Sequence, residues 1–153
     1  MVVAGGHATV FGKSGKHCDV RPFSSDCSKL ESVPIVDAAV AYDCPFSMKT
    51  YILTLRNALH IPSMRHNLIP PFIIREAGLI VNEVPRIHTR IEELTNDTHC
   101  IVSTGEGENA KLKIPLKLDG VFSHFETRKL TEDEISQCEY IKTVGLCPTG
   151  PKW

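Results

Sequence analysis

The chain lacks an excess of either charge, a membrane-length apolar run and any cysteine pair in C-x-x-C spacing. Each gap excludes a class of protein. Charged residues make up 23% and the formal net charge is −1. No basic surface therefore speaks for nucleic acid, and no acidic tail for a disordered partner region. No apolar run reaches the roughly 18 residues that span a bilayer. The opening MVVAGGHATVFGK has no charged stretch ahead of a long apolar segment, so it reads poorly as a secretory signal. The expectation is an intracellular, cytoplasmic chain or a piece of an intracellular polyprotein, with no membrane partner and no nucleic acid bound by this domain alone. The six cysteines, Cys18, Cys27, Cys44, Cys100, Cys138 and Cys147, are irregularly spaced. Without a secretory signal they are expected as reduced thiols. The sequon Asn96-Asp97-Thr98 is expected to carry no glycan for the same reason.

What is present suits a single core built from short strands. The 153 residues are 42% hydrophobic, enough to bury a core. Ten prolines and ten glycines interrupt the chain at intervals too short for long helices. Residues 1–13 read as a strand, a Gly5-Gly6 turn and a second short strand, and residues 14–31 as a surface loop. Val33–Tyr42 and Lys49–Ala58 read as strands joined by a turn at Asp43–Ser47, a hairpin. In the second of them Tyr51, Leu53 and Leu55 alternate with Ile52, Thr54 and Arg56. Asn67–Ala77 reads as a helix. Pro70-Pro71 falls in its first turn, Gly78 at its end, and Phe72, Ile73, Ile74 and Ala77 on its buried face. Strands are expected at Leu79–Val84, Ile87–Ile91, Thr98–Ser103 and Lys111–Leu118, the last two joined by a turn at Gly105–Asn109. Thr131 and Glu134 form a capping box that opens a helix ending near Cys138 or Glu139. The tail LCPTGPKW is expected to be extended or mobile. The chain divides on this reading into residues 1–125 and a segment 126–153.

Most familiar site chemistries fail on spacing. The seven histidines, His7, His17, His60, His66, His88, His99 and His124, show no metal-ligand pattern, and no cofactor is expected. Gly12-Lys13-Ser14 imitates the end of a phosphate loop, but His7 stands where the first glycine belongs and no helix follows. No G-x-S-x-G surrounds a serine. One constellation remains, that of an aspartic peptidase. There two carboxylates share a proton and hold a water, because like charges about 3 Å apart cannot both ionise. Each carboxylate sits in a tight D-[ST]-G turn, and none occurs in this chain.

The block Leu55-Arg56-Asn57-Ala58-Leu59-His60-Ile61-Pro62-Ser63 is similar to the L-x-N-V-L-Y-V-P-x pattern of copia-type retrotransposon Pol polyproteins, in their retropepsin-like region. Arg65-His66-Asn67-Leu68-Ile69 resembles the x-x-N-L-L run that follows there, and Arg75–Val81 the next x-x-x-G-x-x-V segment. Ile114–Val121 resembles the I-P-L-x-x-x-G-V/I run downstream. The likeness covers roughly residues 3–125, is specific over 55–81, and looks closest to a divergent group known from diatoms and other algae.

The resemblance implies an all-β, acid-protease barrel with one or two short helices, acting as a two-fold homodimer on an extended polyprotein peptide. It places the flap hairpin at Val40–Asp43, with Tyr42, Asp43 and Phe46 as peptide-contacting residues. It also places the catalytic turn at Val3-Ala4-Gly5. Valine and alanine stand there for the carboxylate and hydroxyl, so the implied activity, aspartic endopeptidase, loses its catalytic group. With Met1 only two residues ahead of that position, the barrel is expected to be truncated at its N-terminus. The expectations that follow are an inactive aspartic-protease-like domain, a non-catalytic peptide-binding or dimerisation barrel, or a functionless fragment of a decayed element.

Overall fold

The computed structural model describes residues 1–21, 28–90, 92, 97–103, 112–137, 141–150 and 153. The chain is mainly β, with two short helices. The described strands form three sheets and do not close into a barrel. No helix among the described residues is long and apolar enough to cross a membrane.

The largest sheet is built on a long hairpin. Its strands are β3 (Leu30–Asp43) and β4 (Thr50–His60), antiparallel with Tyr42 opposite Tyr51 and Asp43 opposite Thr50. The expected alternation places Tyr51, Leu53 and Leu55 in the main core beside Val36, Ala38, Val40 and Tyr42. One extra residue on β4 interrupts the ladder between Val36/Ala58 and Ala38/Leu55. Asn57 absorbs it with φ 51°. The bulge keeps Ala58 on the main-core face and turns Leu59 to the other. Asp37 lies opposite and stabilises the kink, accepting from the Asn57 amide at 3.0 Å and from the Arg56 guanidinium at 3.1 Å.

On one side of the hairpin β2 (Thr9–Val20) pairs with β3. Within the loop expected over residues 14–31, residues 14–20 and 30–31 are strand, and residues 22–27 lie outside the described residues. The polar residues of β2 lie on an exposed edge, where no apolar alternation is required. The Gly12-Lys13-Ser14 look-alike lies inside this strand. On the other side β1 (Val3–Ala4) pairs in parallel with the end of β4. Another strand, β10 (Thr143–Gly145), pairs in parallel with Ile52–Thr54 of the same edge.

The helix α1 (Pro71–Glu76) is shorter than Asn67–Ala77 because Leu68 is taken by Val3 in a bridge. Pro70 is its N-cap and Pro71 its first residue. Gly78, at φ 89°, ends it: the Gly78 amide donates to Arg75 O at 2.9 Å and the Leu79 amide to Ile74 O at 3.3 Å. That is the 5→2 and 6→1 pairing of a Schellman motif. Ile73 and Ile74 are buried, whereas Phe72 is exposed.

The second sheet joins β5 (Ile80–Asn82), β6 (Cys100–Val102) and β7 (Lys113–Pro115), with Val81, Ile101 and Ile114 in the main core. Where a strand was expected over Ile87–Ile91, the described residues show a short 3-10 turn at Arg86–His88, started by Pro85, whose carbonyl accepts from the His88 amide; Ile91 lies outside the described residues. The single strand expected over Lys111–Leu118 breaks at Leu116, whose amide donates to His99 O at 2.9 Å. Beyond it β8 (Lys117–Asp119) pairs with β9 (Phe122–His124) in a hairpin of its own. The helix α2 (Glu132–Ser136) has the expected capping box and stops at Gln137. The Gly105–Asn109 turn and the sequon Asn96 lie outside the described residues.

Among the described residues after 125, Val144, Leu146 and Cys147 reach the main core, whereas α2 buries none. Leu146 is fully buried there with Cys147, and Val144 packs against it. The expectation of an extended or mobile tail is corrected at its first two residues, because β4 offers an open edge to β10 and the core accepts Leu146.

Candidate functional site

Two places carry the sequence-derived candidates: the Val3-Ala4-Gly5 turn and the far end of the β3–β4 hairpin.

At the first, β1 is held on both sides. The Leu59 amide donates to Val2 O and the Ile61 amide to Ala4 O, each at 2.9 Å. Val3 and Leu68 exchange amide bonds at 2.9 and 3.0 Å. The chain then turns sharply. The Gly5 amide donates to the Asn67 side-chain oxygen at 2.8 Å, Gly6 to Met64 O at 2.9 Å, and Ala8 to Gly5 O at 3.1 Å. A Cβ on Gly5 would lie 2.7 Å from Met64 O and 2.8 Å from His66 O, and one on Gly6 would lie 2.6 Å from Pro62 O. All three obstacles are backbone, so only glycine fits against this loop.

The side chains of the turn contain no group that moves a proton. Ala4 and Val2 enter the main core. Val3 faces the opposite way, into a second cluster with Val33, Leu59 and Ile61, which Cys18, Val20, Ile35 and Met64 cover. It is 1% exposed. The residue placed at the carboxylate position thus neither meets solvent nor faces a polar partner.

The second place gathers two of the three flap candidates. Tyr42 is buried, and its hydroxyl donates to Lys113 O at 3.4 Å. Burial first, then Cys44 and Tyr51, push its pKa up to about 12. Phe125 meets its ring edge-on, with centroids 6.1 Å apart. Asp43 accepts from Thr50 Oγ1 at 2.6 Å, and from Arg128 Nε at 2.7 Å and Nη2 at 3.0 Å. Arg128, then Thr50, hold its carboxyl below the ordinary value. Phe46 stands apart at the hairpin tip, 66% exposed.

Arg128 was not among the sequence candidates. Its guanidinium also donates to Glu134, at 2.8 Å and 2.6 Å. Glu134 in turn accepts from the Thr131 amide at 2.9 Å. Arg128 first, with the Thr131 amide adding to it against the cost of burial, holds the Glu134 carboxyl at about 2. Asp43 lies 85 positions away in sequence, so no local pattern announces the pair.

Among the described residues no group of three or more His, Cys, Asp or Glu side chains is gathered as a metal would need. Cys18, Cys44, Cys100 and Cys147 are free thiols, while Cys27 and Cys138 lie outside the described residues. Two surface depressions flank β10 and α2, one by Gly78 and Gly145, the other by Lys49 and Glu134. Neither reaches the Val3–Gly5 turn. Comparisons with protein-family models, with curated proteins and with solved structures give no match.

Proposed function

We propose that the chain is an aspartic-protease-like domain of a copia-type retrotransposon polyprotein that has lost its chemistry and kept its scaffold. The observation that carries the reading is the Gly5 turn. Its glycine is required by the approach of Met64 and His66, and its amide is held by Asn67. Gly5 and Asn67 fall on the two segments that resemble the family's catalytic turn and its N-L-L run. At the position of the aspartate stands Val3, enclosed by apolar side chains. Replacing a buried ionised group by an apolar one is often neutral or stabilising, so the fold survives the exchange. Without a carboxylate no water is activated and no leaving amine is protonated. The purified chain incubated with a peptide library near pH 5 is expected to leave it intact. Cleavage that an aspartic-protease transition-state mimic blocks would overturn the reading.

A second reading, a non-catalytic module that binds extended peptide by strand addition, is favoured by one observation. Ala41 of β3 already accepts a single-residue strand partner, Arg128, from outside the sheet. Capture of polyprotein-derived peptides by the immobilised chain tests it, and no retention of any peptide by a chain with that edge freed would count against it.

A further inference from the structure

β2 stops short of the hairpin end. Its first residue, Thr9, pairs with Ala39, so the same edge of β3 runs on beyond it through Ala41 to Asp43. Arg128 fills the next place. The Ala41 amide donates to Arg128 O and the Arg128 amide to Ala41 O, both at 2.9 Å. The guanidinium then closes on Asp43 from two of its nitrogens, and Phe125, three positions earlier, lies edge-on to Tyr42. Phe125–Arg128 belongs to none of the three sheets. It is held by the backbone pair at Arg128, by the Phe125 ring, which packs against the main core as well as Tyr42, and by ion pairs of Arg128 with Asp43 and Glu134 and of Glu126 with Lys117; a backbone pair with side-chain contacts beside it is the way peptide-adding edges hold their ligands.

We propose that the β3 edge from Ala41 to Asp43 is a docking seat for an extended peptide carrying an aromatic residue three positions before an arginine, and that the chain's own Phe125–Arg128 segment occupies it as a displaceable strap. The Ala41 backbone supplies affinity without sequence preference. Tyr42 and Asp43 supply the selection, one for the ring and one for the guanidinium. Arg128 is the pin, because it alone bonds to both the seat and Glu134 of the following helix. This inference rests on the peptide-binding reading for the use of the seat. The two fail separately: a freed chain that binds peptide with no preference for the arginine ends this inference and leaves the peptide-binding reading standing.

The test uses the full-length chain carrying Arg128→Ala and a fluorescein-labelled synthetic peptide with the sequence of residues 122–137, followed by fluorescence anisotropy. The freed chain is expected to bind the peptide about tenfold more tightly than the wild-type chain, whose seat is filled. Replacing the arginine of the peptide by alanine, or Asp43 of the chain by alanine, is expected to cost about tenfold each, the scale of a charge-assisted contact. A folded Arg128→Ala chain that binds no peptide, or binds both peptides equally, overturns the proposal. If Arg128→Ala does not fold, Arg128→Gln takes its place. It removes the charge that closes on Asp43 and keeps most of the side-chain length, and the same two comparisons decide.

Discussion

Val3 is enclosed on its side of β1 by apolar side chains. Its side chain packs with Val33, Leu59 and Ile61, on the face opposite Ala4. A carboxyl placed there would lose water and gain no donor in exchange, which raises its pKa and keeps it neutral near pH 5. Val3→Asp is therefore expected to destabilise the fold by about 3 kcal/mol, the scale of a buried polar group left without a hydrogen bond, and to yield no peptidase. Urea unfolding measures the first and a peptide digest the second; unchanged stability would mean that the position opens to solvent. The glycine turn at Gly5-Gly6 that ends β1 was legible in the sequence, and so was the absence of an acid at Val3. That Val3 faces a second apolar cluster was not legible, since a two-residue strand has no periodicity from which a face can be read. Asn67 was visible within a resembling run, but its bond to Gly5 joins positions 62 apart and appears only in three dimensions.

Among the elements, those whose pattern is local were read correctly. The β3–β4 hairpin shows alternation and a polar turn, and α2 shows its capping box. Three features that the sequence reading missed share one cause: a non-local partner decides. Leu68 leaves the expected helix to pair with Val3. The strand after β6 changes partners at Leu116, and β10 exists because β4 offers it an edge. The α2 helix is fastened to the hairpin by Arg128 between Asp43 and Glu134, and this bond responds to pH. Glu134 titrates at about 2 in the fold against an ordinary value of 4.5. Its contribution is fully present above pH 4.5 and is lost as the pH falls toward 2. Asp43 is lowered too, so it acts in the same direction. Thermal unfolding followed by circular dichroism should therefore show a midpoint that drops through that window in the wild-type chain. The drop should be shallower in Glu134→Gln. Equal slopes would remove the clamp from the account.

On the scale of the whole molecule, Val144, Leu146 and Cys147 bring the end of the chain into the main core. Leu146 is fully buried among residues of β3, β4 and α1, and the Leu146 amide donates to Thr54 O at 3.0 Å. Leu146→Ala is expected to cost about 3 kcal/mol, within the range for a buried leucine that leaves a cavity, in one cooperative unfolding transition. A second, separate transition would show that the tail folds apart from the rest. The sequence reading divided the chain after residue 125 because the tail is rich in proline and glycine, a composition that says where helices cannot run and nothing about which edge a strand can join. Phe125–Arg128 supplies the strap proposed on β3, so an inactive chain has two explanations: a missing carboxylate or a covered edge. Only the first is the central claim. The measurement that separates them is peptide digestion near pH 5 by the Arg128→Ala chain, whose edge is free. The account predicts no cleavage, with or without an aspartic-protease transition-state mimic. Cleavage by the freed chain that the mimic abolishes would contradict it, because the chemistry would then be present and merely covered.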